Sequence, residues 1–143
     1  MPSRFTDHEV KSGLKAKRAL SQFIDSVFAA NGIAKNSLQY IFCSDAYLLE
    51  INQQFLNHDT YTDIVTFDQS EDRNKKVEGE IYVSVDRIRE NAAKFKTSYE
   101  RELHRVIFHG CLHLCGYKDK KKAEAELMRQ KEDECLQGYF GQE

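Results

Sequence analysis

Apolar and polar positions alternate between two periods along this chain, and the switches between them predict the elements. From Lys11 to Asn31 the residues Leu20, Ile24, Val27 and Phe28 form a stripe at 3.6-residue spacing, predicting a helix that Asn31-Gly32 ends. Lys11, Lys15 and Arg18 share another face of that predicted helix. A solvated face is its default reading and a phosphate backbone the alternative. Before it, Met1 to Val10 leans to a short edge strand. Leu38 to Cys43 is rich in aromatic and branched residues and reads as a strand. Ser44 then caps a helix to about Leu56, with Leu48, Ile51 and Phe55 inward. Ile64 to Phe67 is a second strand, entered from a polar turn over Asn57 to Asp63 and left through an exposed loop, Gln69 to Lys76. Val77 to Val85 alternates as a half-buried strand, and Asp86 to Phe95 is a helix with Ile88, Ala92 and Phe95 inward.

Thr97-Ser98-Tyr99-Glu100 fits a capping box, with Thr97 bonding forward and Glu100 reaching back. It opens a helix to Cys115 whose buried face is Leu103, Val106, Ile107 and Gly110. A last helix, Lys121 to Leu136, turns Leu127, Met128 and Cys135 inward and is closed by Gly138. This order predicts an α+β fold: one domain over residues 1–143, with helices packed on a small mixed sheet and a zincin-like metal helix near the C-terminus.

The chemistry lies in the helix that ends at Cys115. His109 and His113 are four residues apart, so both imidazoles sit on one helix face, one turn apart. Such a pair can hold one divalent ion. Gly116 tolerates the left-handed conformation that stops a helix, and the chain can then bring Asp119 toward the same ion. His109, His113 and Asp119 are therefore candidate ligands of a catalytic Zn²⁺, one per chain, with one position open for water or substrate. The helix C-terminus favours a cation by a few tenths to about 1 kcal/mol. The plainer reading of Asp119 is a solvated carboxylate offsetting Lys118, Lys120, Lys121 and Lys122.

Composition narrows the setting. Net charge is −2, so nucleic-acid binding requires a local patch rather than a global basic field. No apolar run approaches the roughly 20 residues of a membrane span, and Asp25 interrupts the nearest thing to a signal-peptide core. Both point to the cytoplasm and to no membrane partner. The cysteines Cys43, Cys111, Cys115 and Cys135 form no C-x-x-C pair. Cys111 and Cys115 each follow a His by two residues, about 200° around the helix, so they face the core and not the ion.

The spacing His-x-x-x-His-x-x-Gly-x-x-Asp is akin to that of metallopeptidases, which carry a Glu base directly after the first His. Here that position is Gly110, which argues against peptide hydrolysis. Phosphodiester cleavage asks less of a protein base, because a metal polarises the phosphate.

His109-Gly110-Cys111-Leu112-His113-Leu114-Cys115-Gly116-Tyr117 resembles the His-Gly-x-Leu-His-Leu-x-Gly-Tyr signature of the YbeY family. Thr62-Asp63-Ile64-Val65-Thr66-Phe67 resembles its Thr-Asp-Val-Leu-Ser-Phe segment, and Gly79-Glu80-Ile81 its Gly-Asp-Ile strand. Ile51-Asn52 and Asp59 match its Leu-Asn and Lys-Asp, so the likeness runs in order over residues 38–136. The resemblance implies a metal-dependent, single-strand-specific endoribonuclease. Its setting would be rRNA maturation, notably the small-subunit rRNA 3′ end, and ribosome quality control. It implies zinc held at His109, His113 and Asp119, and as partners single-stranded RNA and the ribosomal small subunit.

Two departures change the picture. Asp119 stands where the family usually has a third His, and His₂-carboxylate is still a competent zinc set. Leu56 aligns with a family Arg, and leucine cannot bind phosphate. Either Lys118 or His58 supplies that cation, or cleavage is weak. On this reading Lys118, Lys120 and Lys121 meet the RNA backbone; the alternative for the lysines is a solvated helix start. Two other functions stay open: a zinc hydrolase of another substrate such as a peptide, and a ribosome-assembly factor with a structural metal. Oligomeric state is not legible from the sequence.

Overall fold

A computed structural model describes residues 1–56 and 62–141. The elements run β1 (Ser3–Asp7), α1 (Lys17–Ala30), β2 (Asn36–Cys43), α2 (Asp45–Leu56), β3 (Ile64–Asp68), β4 (Val77–Ser84), α3 (Val85–Lys94), α4 (Tyr99–Cys115) and α5 (Lys122–Phe140). The four strands form one mixed sheet in the order β1-β2-β4-β3. β1 and β4 both run parallel to β2, and β3 lies antiparallel on the outer side of β4. This is the predicted α+β class, and strand order was its missing part.

The sheet separates two apolar clusters. The larger joins Leu38, Tyr40, Phe42, Val77, Ile81 and Val83 to buried side chains of α1, α3, α4 and α5. Leu20, Ile24 and Phe28 of α1 are fully buried there, each worth about 2 kcal/mol of transfer free energy. The smaller cluster seats Leu48 and Ile51 of α2 on Cys43 and Val65. Tyr40 ties sheet to helix within the larger core, its hydroxyl donating to the Ile107 carbonyl of α4 at 2.9 Å.

α4 lies close against the outer strands because two positions lack side chains. A Cβ on Gly110 would stand 3.1 Å from Ile64 Cδ1 and from Ile81 Cγ2. A Cβ on Gly79 would stand 2.7 Å from Leu114 Cδ1. These two glycines let the last turns of α4, which carry His109 and His113, rest beside β3.

Several boundaries differ from the expected ones, each for a local reason. α1 begins at Lys17, because Gly13 (φ +72°) and Ala16 (φ +54°) hold a turn in which the Ser12 N–H bonds to Asp7. Lys11 and Lys15 therefore share no helix face with Arg18. The cap of α4 is Ser98, whose hydroxyl accepts the Arg101 N–H at 3.1 Å. The Thr97 N–H instead closes the end of α3 on the Ala92 carbonyl, so Glu100 does not reach back to it. α5 runs through Gly138, which lies against the Phe23 ring, and stops at Gly141 (φ +86°). Phe55, Phe95 and Leu127, expected inward, are 65%, 54% and 43% exposed, the first two at the ends of their helices. His58 and Asp59 lie outside the described residues.

Candidate metal centre

The last two turns of α4 present His109 and His113 on one face, with ring centres 4.6 Å apart and planes near perpendicular at 82°. Gly116 then takes φ +111°, a conformation that costs glycine little. Its N–H bonds to the His113 carbonyl and that of Tyr117 to the Leu112 carbonyl, both at 3.0 Å, a Schellman ending. The reversal returns Asp119 to the rings, where its Oδ2 is 3.3 Å from Nε2 of His109 and 3.3 Å from Nε2 of His113. Arg73 donates to the Leu114 carbonyl at 2.6 Å and pairs with Asp68, which offsets the negative helix end from outside.

These spacings suit an ion. Two donors about 2.05 Å from a tetrahedral centre stand about 3.3 Å apart, the separation seen between Asp119 and each ring. One donor atom from each of the three residues lies within 4.8 Å of the others. The donor set, two imidazoles and a carboxylate, is one that binds zinc with a fourth position open.

Behind His109 stands a residue that the pattern reading passed over. Glu132 of α5 is buried, and its Oε2 lies 2.6 Å from His109 Nδ1. A carboxylate there accepts a hydrogen bond from Nδ1–H and so leaves Nε2 unprotonated toward Asp119, the arrangement that orients a metal-binding imidazole. Glu132 is itself held by Arg105 at 3.1 Å, and Arg105 also reaches Asp133 at 2.8 Å and Glu102 at 3.9 Å. Burial alone would lower the His109 pKa, but the hydrogen bond and charge of Glu132, then Asp119 and Asp63, carry it above the usual value. Asp63 is shifted upward as well, but by burial, which raises its carboxyl pKa and which His109 only partly opposes. One signal could have found Glu132. It sits in the apolar stripe of α5 with Met128, Cys135 and Leu136, where a charge needs a partner.

The three metal-site residues share a cleft of about 630 Å³ whose far wall is β3, from Ile64 to Asp68. Lys120 lines it, and so does Leu56 at the end of α2. Lys118 is exposed and is not among the lining residues. Lys121 precedes α5, with its backbone N–H bonded to the Glu124 carboxylate at 3.0 Å. Of the three lysines expected at the substrate, the structure thus puts Lys120 in the cleft. Gly110, where a peptidase of this spacing needs its Glu, faces β3 and β4 with no room for a side chain.

The model of the family described as Endoribonuclease YbeY matches residues 4–139. The chain belongs to the YbeY endoribonuclease family. It is 47% identical to the Endoribonuclease YbeY of Flavobacterium psychrophilum over 130 residues, 91% of each chain. It is 44% identical to that of Cytophaga hutchinsonii over 132 residues, 92% of each. The fold is similar to the solution structure of TM1509 from Thermotoga maritima, with a TM-score of 0.63 and 26% identity over 96% of this chain and 89% of that one. The segments that suggested YbeY from sequence converge in space. Thr62 and Asp63 line the cleft, and Gly79 is the seat of Leu114. Among the described residues, no helix is long and apolar enough to cross a membrane.

Proposed function

We propose that residues 1–143 act as one hydrolase domain holding a single Zn²⁺ through His109, His113 and Asp119 and cutting single-stranded RNA. The observation that carries this is the convergence of those three side chains on one cleft wall in a chain of an endoribonuclease family. When bound, the ion supplies Lewis-acid polarisation of the scissile phosphate. The chain's own residues do the rest. Glu132 fixes the direction of His109. Lys120 meets the RNA backbone at the cleft rim, taking the cationic part that Leu56 cannot play. Asp63, raised by burial, is placed in the cleft to exchange a proton with the reacting oxygens. The substrate class we infer is ribosomal RNA, with the 3′ end of the small-subunit rRNA as target, the ribosomal small subunit as partner, ribosome quality control as setting and the cytoplasm as place.

Stripping the metal from purified protein should abolish cleavage of a single-stranded RNA, and zinc should restore it in step with occupancy. Cleavage that ignores the metal would refute the proposal. Casein assayed alongside should stay intact, since Gly110 leaves no place for a peptidase base. A second reading has one observation behind it: Leu56 lines the cleft at the family's Arg position. In that reading the chain is a ribosome-assembly factor with a structural metal. It predicts that a cleavage-dead variant rescues the rRNA processing defect of a deletion strain, whereas the nuclease reading predicts no rescue.

A further inference from the structure

The candidate metal centre opens on two sides. A second cleft, of about 350 Å³, lies beyond His109 and is walled by α3, α4 and α5. Asp63, His109 and Asp119 line both clefts, so a chain crossing the ion from the first enters the second. Among the side chains there that take no part in ligation are Phe95, Asn91 and Arg129. Phe95 is the last-turn ring of α3 that its apolar character would send inward, yet it stands 54% exposed at the cleft. Lys94 places its ammonium 5.6 Å from the centre of that ring. Arg129 is exposed on α5, with Glu102 as its charged neighbour.

Most of the other charges of this cleft are paired: Asp119 faces His109 and His113 at 3.3 Å, and Glu102 lies 3.9 Å from Arg105. Arg105 is committed to Glu132 and Asp133, and Glu132 is shared between Arg105 and His109. What remains to meet a ligand is an exposed aromatic ring with an ammonium over one face, an amide, and a guanidinium beside Glu102. An aromatic ring beside a cation is the usual platform for an unpaired base and its phosphate. Duplex RNA hides its base faces, so such a platform selects single strands.

We propose that this second cleft is the subsite for the nucleotide next to the scissile phosphate, with its base stacked on Phe95 and its phosphate met by Arg129. Asn91 lies where it can bond the edge of that base. The subsite rests on the RNA-cutting reading and deepens it, since it states how single strands are chosen.

The test uses the zinc-loaded full chain and a fluorescent 2′-O-methyl RNA 12-mer, shown by gel to stay intact, read by anisotropy across a salt series. Phe95→Ala should weaken binding roughly ten-fold or more. Phe95→Tyr should restore it, and Phe95→Leu should not, although it keeps the apolar bulk. Arg129→Ala should reduce the salt slope by about 0.7, the value of one phosphate contact on a single strand. Metal content and melting temperature serve as controls and should match the wild type. Wild-type binding with unchanged affinity in Phe95→Ala and Arg129→Ala would overturn the subsite and leave the nuclease reading standing. A wild type that neither binds the 12-mer nor cuts its unmodified counterpart would overturn the reading beneath it. Equal loss of affinity for a hairpin duplex would also overturn the subsite, because stacking on Phe95 requires a free base.

Discussion

His104 and His109 stand five residues apart on α4, the first buried and the second half-buried at a cleft, and they serve opposite ends. His104 donates from Nδ1 to the Glu100 carbonyl of its own helix at 2.7 Å. Its ring lies in a nest with Tyr139 at 5.3 Å and Phe140 at 4.9 Å between centres. Burial lowers its pKa, with Glu100 opposing too weakly to reverse the sign. His109 makes the equivalent Nδ1 bond to a buried carboxylate. Burial lowers it as well, but the charge of Glu132 with Asp119 and Asp63 wins. The same side chain on the same helix is thus a neutral packing piece or a candidate ligand, and the partner at Nδ1 separates the two.

The comparison breaks most sharply if the ion is taken from the second region. His113→Ala should drop zinc well below one equivalent per chain and bring RNA cleavage to the metal-free level, while the nest around His104 keeps the fold intact. Retention of a full equivalent, measured by elemental analysis, would remove His113 from the ligand set. A smaller effect isolates the partner. Glu132→Gln keeps the shape, but its amide can donate to Nδ1 and stabilise the tautomer protonated at Nε2. Zinc affinity should fall about 10- to 100-fold. The Nδ1-protonated signal of His109 in ¹⁵N NMR should diminish in the metal-free protein. Unchanged affinity would make Glu132 a buried ion-pair member and nothing more.

Gly110 tests how the metal turn is supported. Its missing Cβ leaves 3.1 Å to Ile64 and Ile81, tighter than side-chain packing normally allows. Gly110→Ala should cost about 1–3 kcal/mol of unfolding free energy by overpacking, less any gain in helix propensity. It should also weaken zinc, because Ile64 belongs to β3 across the cleft. Gly138→Ala on α5 meets only the edge of a movable ring at 3.3 Å and should do less harm. Equal melting temperatures for the two variants would contradict this ranking.

Much of the second region was legible because its determinants are local. The four-residue His spacing and a glycine at the helix stop set the face and the reversal, and these needed no knowledge of the sheet. Glu132 was missed for the opposite reason. Its partner His109 is 23 residues away, and only the packing of α5 on α4 joins them. Phe55 and Phe95 were misplaced because hydrophobic spacing continues to a helix end after the core has stopped. The α4 cap falls on Ser98 while the Thr97 N–H closes α3, a bond back to Ala92 that the capping pattern does not encode. The order β1-β2-β4-β3 rests on pairing between distant segments, which alternation along one strand does not encode.

The finest test asks whether the two histidines pull stability in opposite directions. In chelated protein His109 has a folded pKa above its unfolded value of about 6.5. Its contribution is therefore complete below about pH 6.5 and is lost as pH rises through the folded value. His104 has a folded pKa below about 6.5, so its contribution is complete above that pH and is lost as pH falls through the folded value. Melting temperature should accordingly decline on acidification from about pH 6.5 to 5, as the unfolded chain takes up a proton that buried His104 refuses. Asp63 and Glu102 cannot produce that decline, because burial raises their carboxyl pKa values and such groups lose stability as pH rises. His104→Phe keeps an aromatic ring in the nest and has nothing to protonate. It should flatten the acid limb and leave zinc affinity untouched. An acid limb as steep as the wild type's would mean that the charge is refused elsewhere, and the contrast between the two rings would lose its energetic basis.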